Sequence, residues 1–213
     1  MTDQTTRPQT PGEAWTALKE GNERFVLGEA VHPSQDVAHR AALSSSQQPF
    51  AVVFGCSDSR VAAEIVFDQG LGDAFVVRTA GHVIDTTVLG SIEFGVAVLG
   101  APLVVVLAHD KCGAVAAATK TLASGEQAPG FVRAVVDRVI PSIVGLTSTG
   151  KPLSSFDAAE LGHEHVRQTA HMLADYSAVL AERVADGRCA IVAVEYTLAD
   201  GRAELVETVG SLA

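Results

Sequence analysis

Pro102–Leu122 reads "PLVVVLAHDKCGAVAAATKTL". Its first half is a continuous apolar run, the signature of a strand buried on both faces rather than on one. An alanine-rich helix begins almost at once, and between the two stand His109, Asp110, Lys111 and Cys112. A buried strand feeding directly into a helix is one half of a parallel β-α-β unit. The same form recurs upstream. "FAVVFG" (50–55) is followed by a short helical "RVAAEIVFD" (60–68), and "DAFVVRTA" (73–80) by "DTTVLGSIEFGVAVLG" (85–100). Near the other end, "CAIVAVEYTLADGRAELVET" (189–208) reads as two strands around an Asp200-Gly201 turn. The pattern predicts an α/β fold. Its central sheet is mostly parallel, a C-terminal hairpin adds an antiparallel edge strand, and helices flank the sheet.

The remaining segments attach to this frame. Residues 1–10 are polar and read as a disordered tail, and residues 11–213 as a single domain. "TPGEAWTALKEGNERFVLGEA" (10–30) forms an N-terminal helical arm, with Pro11 in the first turn and Ala14, Leu18, Phe25 and Val26 at helical spacing. "HPSQDVAHRAALSSSQQP" (32–49) suggests a short helix capped by Ser34 and closed by Pro49. "GFVRAVVDRVIPSIVG" (130–145) is helical. Residues 155–187 make a long helical region expected to break near Gly162.

Composition narrows the function classes. With 213 residues, 47% hydrophobic and 19% charged, the chain is an ordinary globular one. A formal net charge of −10 argues against a nucleic-acid footprint. No apolar window reaches the length of a membrane span, and the polar start does not resemble a secretory signal. Three cysteines, Cys56, Cys112 and Cys189, do not form a disulfide framework. Reduced thiols and a cytoplasmic location are the expectation. Cys189, inside an apolar run, reads as core filler.

In open sheets of this kind ligands sit at the carboxyl ends of the strands. Cys56 follows the first strand, Gly81 and His82 the second, His109 and Cys112 the third. Cys56, His109 and Cys112 make a Cys₂His set. Three protein ligands with a fourth position free is the zinc arrangement that supports catalysis, and thiolate with imidazole disfavours Mg²⁺ or Ca²⁺. Cys112 also opens a helix, whose N-terminus favours thiolate. Other chemistries fail on spacing. There is no Cys-x-x-Cys and no Gly-x-Ser-x-Gly elbow. Position 62, where a cysteine phosphatase loop would carry arginine, is Ala62, and Phe75 breaks a dinucleotide fingerprint. "GCSDSR" (55–60) adds Asp58 and Arg60 at alternate positions, where a turn lets them pair.

"CSDSR" with "AHDKCGA" resembles the β-class carbonic anhydrases, and the similarity extends through "AEIVFDQGLGDAFVVRTAGHVID" and "GSIEFGVAVLG" to cover residues 11–210. The three-histidine carbonic anhydrase centre is a different metal site. The resemblance implies one Zn²⁺ per chain on Cys56, His109 and Cys112, and reversible hydration of CO₂ to bicarbonate and a proton by zinc-bound hydroxide. Two thiolates neutralise the dication, so the metal needs help in acidifying water. Asp58, kept ionised by Arg60, would accept a hydrogen bond from that hydroxide. In a closed state Asp58 would itself become the fourth zinc ligand, chiefly at lower pH.

By the same resemblance Gln47, nine residues before Cys56, serves substrate from the partner subunit. Phe75 and Ala80 line a small CO₂ pocket, Gly113 gives room beside the ion, and His82 is a candidate proton shuttle. Phe94 stands where tyrosine is common. Val53 stands where a tryptophan accompanies an inhibitory bicarbonate site, so that regulation is not expected. The apolar helix at 86–100 implies burial against a partner, which the resemblance supplies as a homodimer or homotetramer with N-terminal helices wrapping the neighbour. The alternatives are hydrolysis of carbon disulfide or carbonyl sulfide on the same scaffold, and a non-catalytic zinc- or anion-binding module.

Overall fold

The computed structural model describes residues 7–148 and 150–213, so most of the tail assigned to residues 1–10 lies outside the described residues. Its last residues are ordered by specific bonds. The Arg7 guanidinium donates to the Pro49 carbonyl, and Thr10 caps the first helix, α1 (Pro11–Leu27), in a reciprocal box with Glu13. Gly28, left-handed at φ 72°, ends that helix. The next helix, α2 (Val37–Ala42), is capped by Asp36, whose carboxylate accepts the His39 N–H. Ser34, the expected cap, instead has a left-handed backbone with φ 55°.

The sheet contains β1 (Ala51–Cys56), β2 (Ala74–Thr79), β3 (Leu103–His109), β4 (Ala190–Tyr196) and β5 (Ala203–Val209). Their order is β2-β1-β3-β4-β5, with only the β4–β5 pair antiparallel. Alternation along the strands divides the core into two layers. Val53, Val105, Leu107 and Val192 pack with Ala14 and Leu18 of α1 and with Phe67. Val52, Phe54, Val104 and Ile191 pack beneath α4 (Thr86–Glu93) and α7 (Ala158–Tyr176), through Val88, Ile92, Val166 and Leu173. Both faces are covered, which is why β1 and β3 read as unbroken apolar runs.

The arm α1 is anchored on its own chain through Asn22. The buried Asn22 amide donates to the carbonyls of Val66 and Gly201 and accepts from the Ala203 N–H. Leaving those polar groups unpaired inside the core is costly, so the helix is held to its own sheet. Gly21 packs so closely that a Cβ there would lie 1.8 Å from the Phe67 carbonyl oxygen.

Around the strand ends stand α3 (Ala63–Val66), α5 (Gly113–Ser124), α6 (Val132–Thr147) and α8 (Ala178–Ala185). The expected break at Gly162 does not occur. The Asp157–Glu160 box starts α7, which runs through Gly162 to Tyr176. The chain breaks at Ser177 instead, whose hydroxyl donates to Glu93 and accepts the Leu180 N–H, so that it caps α8. At 86–100, α4 gives way to a wider π turn over Phe94–Val98. That turn buries Gly95 against Val52 and leaves Phe94 and Val98 facing out.

Candidate metal centre

Three backbone elements end at one point. Cys56 is the last residue of β1 and pairs with Thr79 of β2. His109 is the last residue of β3. Between them and α5 the chain turns through Lys111, left-handed at φ 54°, and sets Cys112 as the residue that opens the helix. Asp110 fixes this turn: its N–H donates to the Tyr196 carbonyl and its carboxylate accepts the Leu198 N–H. The two sulfurs and one imidazole nitrogen all lie within 4.8 Å of one another, and all three residues are buried.

The protonation pattern fits a metal. His109 Nδ1 lies 2.7 Å from the Asp110 carbonyl, which can only accept, so Nδ1 carries the hydrogen. Nε2 therefore holds a lone pair, and it is buried with no hydrogen-bond partner among the described residues. Such an orphan calls for an electrophile. The two thiols compete for one proton. The Cys112 thiol as hydrogen-bond donor holds Cys56 down, to about 4, against burial and with help from the Gly81 N–H 3.2 Å from its sulfur. The same bond, with burial, pushes Cys112 up, against the Val115 and Ala114 amides at the start of α5. Two adjacent thiolates need a cation between them, and a soft N,S₂ donor set fits Zn²⁺.

Asp58 stands beside this cluster, its Oδ2 3.7 Å from His109 Nε2. Arg60 grips it with two prongs, Nε to Oδ1 at 2.9 Å and Nη2 to Oδ2 at 2.7 Å, and the Arg60 backbone N–H adds a third bond at 3.0 Å. The Arg60 guanidinium therefore holds Asp58 well below the usual carboxylate range, against a smaller opposing effect of burial. Arg78, not picked out from the sequence, fixes the turn itself. Its Nε donates to the Cys56 carbonyl at 2.9 Å and its Nη2 to the Asp58 carbonyl at 2.6 Å. An arginine inside the apolar run "AFVVRTA" was the available signal.

The other predicted residues are scattered. Gly113 is the exposed first residue of α5, next to Cys112. Ala80 is exposed and begins a short 3₁₀ turn, Ala80–His82, after β2. Phe75, in β2 opposite Val52, has its ring 6.1 Å from that of Phe94. Gln47 is exposed and lines a cavity with Arg40, Leu43 and Leu71 that none of Cys56, His109 and Cys112 lines. His82 corrects an expectation. It is 1% exposed, stacked on His165 with ring centroids 4.4 Å apart, and neither ring nitrogen has a partner among the described residues. Burial, with the His165 and His109 rings, pushes its pKa well below the ordinary value. A proton shuttle must reach solvent, and this buried ring does not. Cys189 is fully buried just before β4, and burial pushes its thiol up to about 12, as suits a core side chain.

A mostly parallel sheet with a Cys₂His cluster at its carboxyl edge, and an arginine-held carboxylate beside it, defines a catalytic type of zinc protein. A carbonic anhydrase family profile matches residues 51–203. Carbonic anhydrase 2 of Mycobacterium tuberculosis is 56% identical over 202 residues, 95% of this chain and 96% of that protein. The carbonic anhydrase of Mycolicibacterium smegmatis is 55% identical over the same shares. Among solved structures, the Coccomyxa β-carbonic anhydrase superposes with a TM-score of 0.72 at 22% identity, covering 90% of this chain and 86% of that one. One of the tetrameric β-carbonic anhydrases of Sordaria macrospora gives 0.69 at 19% identity, covering 87% and 93%. The chain belongs to the carbonic anhydrase family, and its fold is that of the β-carbonic anhydrase structures.

Proposed function

We propose that this chain hydrates CO₂ reversibly at a zinc ion held by Cys56, His109 and Cys112, with Asp58 and Arg60 completing the site. The observation that carries the reading is the buried Nε2 of His109, without a hydrogen-bond partner among the described residues, on a ring that brings a nitrogen within 4.8 Å of two cysteine sulfurs. Bound there, zinc supplies a Lewis acid and a nucleophile derived from water at neutral pH. The chain's own groups do the rest. The Asp110 carbonyl fixes the His109 tautomer, and Arg60 holds the Asp58 carboxylate beside the cluster, where it can accept a hydrogen bond from a group at the open position. Chelator-stripped protein is expected to lose CO₂ hydration in a stopped-flow assay and to regain it with one equivalent of Zn²⁺. Hydration that survives stripping, or sulfide release from carbonyl sulfide outpacing it, would overturn the assignment.

The same proposal extends to assembly. The outer edge of β2 is unpaired within the described chain, and Phe94 (43% exposed) and Val98 (66%) lie on the π turn nearby. An open edge beside exposed apolar side chains favours a second copy. A homodimer, alone or paired into a tetramer, gives Gln47 a role toward the partner's site, since within its own chain it lines a different cavity. Sedimentation should therefore show a dimer or tetramer, and Phe94→Glu should dissociate it. A monomer at micromolar concentration would refute the arrangement. No helix among the described residues is long and apolar enough to cross a membrane, and we expect the protein in the cytoplasm, where its thiols stay reduced.

A further inference from the structure

A line of buried groups runs from α6 to the Cys56 sulfur, outside the set of Cys56, His109 and Cys112. Ser142 in α6 has its hydroxyl 2.9 Å from Nδ1 of His165 in α7. His165 Nε2 is 2.9 Å from the Gly81 carbonyl, and the Gly81 N–H donates to Cys56 Sγ at 3.2 Å. Ser142, Gly81 and His165 are all buried. A carbonyl only accepts, so Nε2 must carry the ring hydrogen and Nδ1 must accept from the Ser142 hydroxyl. The tautomer is fixed from both ends.

Gly81 is a demanding residue to hold. Its backbone is left-handed at φ 66°, and His82 after it is left-handed too, at φ 42°. Two successive residues in that region form a turn that persists only when its surroundings hold it. A Cβ on Gly81 would lie 2.5 Å from the Ala114 Cβ, so the turn is wedged between β1 and the start of α5, the two elements that carry Cys56 and Cys112. The His165 bond to the Gly81 carbonyl and the stacked His82 ring are what secure it.

We infer that His165, oriented by Ser142, is a positioning residue: it holds the Gly81 turn so that the Gly81 N–H draws electron density from the Cys56 thiolate and leaves the metal a stronger Lewis acid. This addresses the weakness of a two-thiolate centre, whose ligands neutralise the dication. It rests on the zinc reading above. Cobalt(II) in place of zinc tests it, because a thiolate-to-cobalt charge-transfer band reports the electron richness of the sulfur directly.

In His165→Leu the band should move to lower energy and CO₂ hydration by the zinc form should fall about ten- to a hundredfold. His165→Gln, whose side-chain amide can donate to the same carbonyl, should restore both. Ser142→Ala should shift the band in the same direction by less, and it decides the matter if His165→Leu does not fold. An unshifted band in the variant that decides, or equal shifts in His165→Leu and His165→Gln, would overturn the positioning role. Absence of any thiolate band in the unsubstituted protein would instead count against the ligand set.

Discussion

Cys112→Ala protein should purify folded, hold no stoichiometric zinc, and hydrate CO₂ at background rate. The expected loss exceeds about a thousandfold, beyond the ten- to hundredfold typical of changes around the ligands. The fold should survive because Cys112 opens α5 without capping it through a side-chain hydrogen bond. Its sulfur is one of three donors that meet within 4.8 Å. Removing it leaves one thiol and one imidazole, too few to hold zinc with a position free for chemistry. Metal analysis by mass spectrometry and stopped-flow hydration make the measurement, with circular dichroism showing that the sheet is intact. Full zinc occupancy in a folded, active variant would show that the ligand assignment is wrong.

Asp58→Asn is expected to keep its zinc and lose activity by about a hundredfold, the lower range for a positioned acid–base group. Asparagine retains the shape but not the charge that Arg60 holds by two prongs. The direction of the Asp58 shift also separates two explanations of pH dependence. Arg60 lowers the Asp58 pKa, so the stabilisation from this pair is present above the free carboxylate range and fades only as pH falls through the lowered value. Protonation of Asp58 therefore cannot account for activity lost between pH 8 and 6.5. A fall there accompanied by a change in metal coordination would mark the closed state expected from the family resemblance, with the carboxylate moved from Arg60 to the metal, whereas a fall with unchanged coordination would report the zinc-bound nucleophile taking up a proton. Full activity at pH 6.5 with unchanged coordination would exclude that state. Equal activity of Asp58→Asn and the unsubstituted protein would remove Asp58 from the reaction.

The clustering of Cys56, His109 and Cys112 was legible because chemistry and topology agree on it. Apolar runs long enough for buried strands end at Cys56 and His109, and a helix begins at Cys112, so the sequence alone sets the three residues on one rim. The Asp58–Arg60 pair followed from its alternate spacing. What failed was mostly decided by tertiary packing. His82 reads as a rim residue because it follows a strand, but the left-handed Gly81 turns it inward onto His165. Gly162 reads as a helix break, yet α7 runs through it, started by the Asp157–Glu160 box and packed through Leu161, Val166 and Leu173. Ser142 and His165 lie 23 residues apart on two helices and have no spacing signature toward Gly81, so only the folded chain brings them together.

X-ray absorption at the zinc edge of the purified protein tests the central claim most directly. Two sulfurs at about 2.3 Å and one imidazole nitrogen at about 2.0–2.1 Å, with one further light atom, are the expected shell. A shell of oxygen and nitrogen alone, or four sulfurs, would contradict it.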